Sequence, residues 1–105
     1  IVVGRSFSMT DDEYLVIYYD KSDEDKSSVY SSLVSSYKSK EEALPIYVVD
    51  LSSAFNKPFT TTGEANHHPT NASEIAVKGA TVIRFLNHEV ADYLEGEEAI
   101  SSYLS

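Results

Sequence analysis

The side chains with chemistry to offer in this sequence are carboxylates, serines, tyrosines and three histidines; there is no cysteine. The lack of cysteine removes thiolate nucleophiles, disulfides, zinc–thiolate sites and iron–sulfur clusters together. It leaves the compartment open, because such a chain is indifferent to redox poise. His67-His68, with Glu64 nearby and His88 elsewhere, are the only candidate metal ligands of their kind. Adjacent histidines in extended chain point apart and no His-x3-His spacing exists, so they read as a solvated loop pair and no metal is expected. Asp23, Glu24 and Asp25 form the densest run of acids. They suit a pocket for a cation or basic peptide, or simply the positive end of a helix, where each contributes about 0.3–1 kcal/mol. Acids fanning out from a helix start do not converge on one metal.

Serine is abundant, but no Gly-x-Ser-x-Gly elbow presents one as a nucleophile. Nothing places two carboxylates across a cleft as acid and base. Four glycines supply no phosphate-binding loop, and no cofactor is implied. Asn71-Ala72-Ser73 fits a glycosylation sequon, which matters only in a protein secreted by a eukaryote. No enzymatic activity is expected on these grounds.

The elements that must position these residues fit one domain of 105 residues, large enough to bury a core without staples. A formal charge of −9 repels phosphate backbones and anionic lipid, so neither nucleic acid nor a membrane surface is an expected partner. No apolar run approaches the length of a membrane span. The acidity serves solubility, or attracts a basic protein or peptide.

Residues 14–19, Tyr-Leu-Val-Ile-Tyr-Tyr, read as a strand covered on both faces. Ser22, followed by Asp25, predicts a helix cap. Val29, Tyr30, Leu33, Val34 and Tyr37 then recur at helical spacing, with serines opposite, and the helix should end within residues 40–43, ahead of Pro45. Residues 46–49 form a second buried strand closed by Asp50, so residues 14–50 have the length of a parallel crossover unit. A short helix is predicted near residues 52–56, then an unusually long connection, 57–74, of a kind often functional or disordered. Strands at 81–86 and 89–94 flank Asn87-His88, a two-residue hairpin turn. After Gly96, Ala99, Ile100, Tyr103 and Leu104 mark one face of a closing helix. Residues 1–3 read as a short edge strand and residues 8–12 as a turn, or one helical turn capped by Ser8. The start at Ile1, without Met, is one expected of an excised domain or a processed protein.

Strand, helix, strand, long connection, hairpin and helix make up the core plan of the thioredoxin fold. Residues 15–19, Leu-Val-Ile-Tyr-Tyr, resemble the strand that feeds a thioredoxin active-site loop. Val77-Lys78-Gly79-Ala80-Thr81-Val82 resembles the family's Val-x-Gly-x-Pro-Thr approach to its third core strand, and Asn87-His88-Glu89-Val90 its Asn-Gly-Glu-Val hairpin. Glu95-Gly96 precedes the last helix as in many members. The resemblance covers residues 14–104 and implies an α/β, thioredoxin-like βαβ-ββα fold, a central mixed sheet flanked by helices. The chain is similar in particular to divergent thioredoxin-like domains of exported proteins in Gram-positive bacteria.

The resemblance also implies what has been lost. Asp23 and Lys26 stand where the family carries its two cysteines, Ile17 where it carries a buried Asp, and Ala80 or Thr81 where it carries a cis-proline. A cis bond there without proline would cost about 2.5–4 kcal/mol, so trans is expected. The implied protein is a redox-inactive module that binds a protein or peptide, with a basic one favoured by charge. Its recognition face would comprise Tyr19, Asp20, Ser22, Asp23, Asp25, Lys26, Ala80 and Thr81, with the loop 57–74 along the border; Tyr19 itself reads either as a core side chain, like the other strand tyrosines, or as an exposed contact residue. Two other roles stay open: a structural or assembly domain of a larger exported protein, and a small acidic inhibitor or immunity-type protein.

Overall fold

The computed structural model describes residues 3–105. Its elements are β1 (Glu13–Tyr19), α1 (Glu24–Lys38), β2 (Ile46–Asp50), β3 (Thr81–Leu86), β4 (Glu89–Glu95) and α2 (Glu97–Leu104). Short 3₁₀ turns lie at Val3–Arg5, Lys57–Phe59 and Ala72–Glu74. The strands make one mixed sheet in the order β2-β1-β3-β4. β1 and β2 run parallel, Leu15 opposite Ile46, while β3 runs antiparallel to both β1 and β4. The chain is thus α/β, and the parallel crossover read from residues 14–50 is present.

β1 is buried on both faces from Tyr14 to Tyr19, as its unbroken apolar run requires. Alternation along the strands divides the interior in two. Leu15, Ile17, Val82 and Ile46 face Tyr30 and Val34 of α1 and Ile100 and Leu104 of α2. Tyr14, Val16, Tyr18, Ile83 and Phe85 face the other way, onto Val3, Leu51, Ile75 and Val77. Both helices therefore cover one side, not the two sides that helices flanking the sheet would cover. The second side is closed by the N-terminal turn and the long connection. That connection is tied down by Thr61 N–H to the Val77 carbonyl (2.9 Å), Val77 N–H to the Phe59 carbonyl (2.9 Å) and Asn66 N–H to the Ala76 carbonyl (3.0 Å). Pro69 within it and Ile75 and Val77 just beyond it are buried, so this stretch covers the core.

Several local expectations are corrected. The cap of α1 is Asp23, whose carboxylate accepts the Lys26 N–H; Ser22 instead gives its N–H and hydroxyl to Asp20. α1 stops at Lys38, before residues 40–43, because Ser39 turns its hydroxyl onto the Ser36 carbonyl (2.7 Å) and the Leu44 N–H reaches back to the Tyr37 hydroxyl (2.9 Å). Val29 lies off the buried stripe, 39% exposed. Residues 52–56 form turns, with no α-helix; the following 3₁₀ turn accommodates Pro58 in its first positions, where a missing N–H costs nothing. Val3 opens a 3₁₀ turn and donates its N–H to Asn56 Oδ1 (2.9 Å), while Ile1 and Val2 lie outside the described residues. Ser8 caps no helix and bonds back to the Arg5 carbonyl. The hairpin is as read: Asn87 and His88 take φ of 52° and 66°, the pair of positive values a type I′ turn needs.

Candidate functional site

Because β1 and β2 are parallel, both chains leave the sheet at the same end, and the acids that follow each strand organise the exits. Asp20 Oδ1 accepts the Ser22 N–H (2.8 Å) and hydroxyl. Asp50 Oδ1 accepts the N–H groups of Lys21 (3.1 Å) and Ser52 (2.9 Å) and the Ser52 hydroxyl (2.6 Å). These bonds favour the ionised form and hold both carboxyls below their ordinary range, with the Ser22 and Ser52 hydroxyls the leading causes. Asp23 starts α1, and the ammonium of Lys26, one turn on, meets Glu97 at 3.2 Å, tying the start of α1 to that of α2. From the other side of β1, the segment before β3 arrives with the Ala80 carbonyl taken by the Gly96 N–H (3.0 Å).

Between these segments lies a cleft of about 250 Å³. Tyr19, Tyr30, Leu51 and Ala80 supply its apolar surface, Asp20, Asp23 and Lys26 its charged rim, and Gly79 completes the wall. Burial, then the neighbouring Glu97, pushes the Tyr30 hydroxyl above its ordinary range, so it stays a neutral phenol. Asp20 and Asp23 each use Oδ1 internally; among the described residues neither Oδ2 has a hydrogen-bond partner. The cleft can therefore accept hydrogen bonds from a cationic group above an apolar floor.

No protein-family model matches this chain, and neither does any curated protein or solved structure.

Of the residues singled out from the sequence, Tyr19, Asp20, Asp23, Lys26 and Ala80 meet at the cleft; Ser22, Asp25 and Thr81 do not line it. Tyr19 is not an exposed contact residue. It is only 3% exposed, its ring packed on Tyr30 and its hydroxyl 3.3 Å from that of Ser31. Thr81 is fully buried, with its hydroxyl on the Gly79 carbonyl (2.9 Å). Peptide bonds at Ala80 and Thr81 are trans. Sequence reasoning missed Leu51 and Tyr30 as cleft residues, since each reads as core by type. It also missed Phe55, which stands 79% exposed on the turn that leaves β2 at this same end of the molecule. An isolated phenylalanine between Ala54 and Asn56, outside the apolar strand and helix patterns, was the available signal.

Elsewhere, His67 and His68 diverge as expected: His67 meets Glu95 at 3.2 Å and packs on Tyr93, while His68 borders a separate cleft. Among the described residues no group of three or more His, Cys, Asp or Glu could hold a metal ion. Asn71 caps its 3₁₀ turn by accepting from Ser73 N–H (3.0 Å). No helix of the described residues is long and apolar enough to cross a membrane.

Proposed function

We propose that this chain is a redox-inactive, thioredoxin-like interaction domain that binds a basic protein or peptide segment at the cleft between the starts of α1 and β3. The observation that carries this reading is convergence. Residues from three separated segments, Asp20 to Lys26, Leu51, and Gly79-Ala80, line one depression with an acidic rim and an apolar floor. The element order, strand-helix-strand, long connection, hairpin and helix, supports the fold assignment.

A volume of about 250 Å³ is small beside the roughly 300–1,000 Å³ typical of small-molecule and cofactor pockets. It suits one inserted side chain. An Arg or Lys places its aliphatic stem on Tyr30 and Ala80 and its charged head against the free oxygens of Asp20 and Asp23. With no thiol present, the site has no means of disulfide exchange.

The test is a titration of ¹⁵N-labelled protein with acetyl-Gly-Arg-Gly-amide, and with the same tripeptide carrying citrulline, the uncharged isostere of Arg. We expect salt-sensitive shifts at Asp20, Asp23 and Ala80 for the Arg peptide. Asp23→Asn, which retains helix capping, should weaken it about fivefold. Equal response to citrulline, or no response localised to this cleft, would refute the reading and favour a purely structural role.

A further inference from the structure

β4 is the terminal strand of the sheet, and among the described residues nothing pairs with its outer side. An open strand edge is a template for another extended chain. We infer that the edge of β4 is a second docking site, distinct from the α1/β3 cleft, for an extended segment carrying an apolar side chain and, four residues away, a basic one.

The spacing comes from the sheet itself. Loop residues 64–70 run over the face of β4 that carries Val90, Tyr93 and Glu95, leaving its edge, among the described residues, uncovered by strand pairing, and two clefts open where they meet it. One, of about 260 Å³, lies at the start of the strand, where Pro69 and Val90 give it an apolar wall and His68, Thr70 and Glu89 complete it. The other, of about 300 Å³, lies at the strand's end, between Glu95 and the loop's Glu64, with Lys78 and His67 also in its wall. Between the two, His67 packs on Tyr93 and bonds Glu95, fastening the loop to the strand. Val90 pairs with Phe85 and Glu95 with Thr81, and those partners are four residues apart in β3. The one-residue difference is the irregularity in the ladder after Arg84. A regular strand added outside β4 therefore places residues i and i+4, on the same face by the two-residue period, at the two clefts.

Charge selects the occupant. A second copy pairing β4 to β4 antiparallel would bring Glu89, Asp92 and Glu95 of one chain against the same acids of the other, which opposes self-association. A basic side chain opposite Glu95 and Glu64 is favoured by the same charges, two carboxylates against the one ammonium of Lys78.

The experiment uses acetyl-Thr-Val-Thr-Thr-Thr-Lys-Thr-amide, and its reversed sequence to cover both strand directions, added to ¹⁵N-labelled protein up to millimolar concentration. One of the two should shift and slow the exchange of amides along Glu89–Glu95, with the Asp20 to Lys26 amides unmoved. Replacing its Lys by Glu, or Glu95→Gln in the protein, should each weaken binding about fivefold. Three results would overturn the inference. These are no response along β4 at millimolar peptide, equal binding of the Glu-containing peptide, and dimerisation through β4 in the absence of peptide.

Discussion

Gly96 sits at φ 93° and ψ 155°, a backbone state essentially confined to glycine, and from it the chain enters α2. A methyl group at this position would meet no atom within 4 Å, so a side chain here is opposed by backbone strain alone. We expect Gly96→Ala to destabilise the fold by about 1–3 kcal/mol in urea titration. The Thr81 amide resonance should move with it, because the carbonyl of that peptide group, on Ala80, accepts the Gly96 N–H. An unchanged midpoint would mean that this backbone state is not held in solution. Asp23 shows why single roles are harder to read. Ser22 and Asp23 are both good caps by type. The choice between them falls to Asp20, which captures the Ser22 hydroxyl and N–H before the helix begins.

In α1 the serine-rich face was plain, and so were Tyr30 and Val34, which are buried against the sheet. Val29 shares their spacing yet lies at the margin of the stripe, because the sheet and α2 cover an arc centred on Tyr30 and Val34. Val34→Asp should therefore cost about 3 kcal/mol or more, and Val29→Asp no more than about 0.5 kcal/mol. Similar costs for the two, read from denaturant midpoints, would mean that the helix is rotated from this orientation. At the far end of the same sheet face, Arg84 bonds Glu13 and Asp92, both at 2.6 Å, and Tyr103 donates to Asp92. Nothing in the spacing of these four residues revealed that network, since they come from β1, β3, β4 and α2. The connection 57–74 also does more than its composition indicates. Its Thr, Gly, Pro and Asn content reads as loop, which it is, but burial of Pro69 within it and of Ile75 and Val77 just beyond makes it half of the core's cover.

Across the whole molecule, the tyrosines set the expected response to alkali. Burial is the leading cause that raises the hydroxyls of Tyr14, Tyr18, Tyr30, Tyr93 and Tyr103, the last to about 12; Tyr47 is raised first by its bond to Asp11. A group whose folded value lies above its unfolded value of about 10 contributes fully below that value. Its contribution is lost as pH rises through the folded value. Unfolding in alkali should thus be cooperative, with phenolate absorbance and loss of circular dichroism rising together between about pH 10 and 12. Independent titration of these tyrosines near pH 10 with the dichroism intact would contradict it. Asp20, Asp50, Glu74 and Asp92 are lowered instead, so their contributions hold above about pH 4 and fade as pH drops further.

What depends on near neighbours along the chain was legible in the order of residues. The buried run of β1, the parallel β1-α1-β2 unit, the hairpin at Asn87-His88 and the start of α2 after Gly96 all follow from local periodicity and turn chemistry. The lack of thiol chemistry follows from composition alone. Tertiary structure decided what depends on which segments meet. It buried Tyr19 and Thr81, brought Leu51 and Tyr30 to the cleft beside Asp20 and Asp23, and set Phe55 in solvent. It also joined Arg84 to Glu13 and Asp92 and, among the described residues, left the outer side of β4 without a partner strand. Residue type and spacing fix which face of an element is apolar. Only the packing of distant segments settles which part of that face is covered and by what.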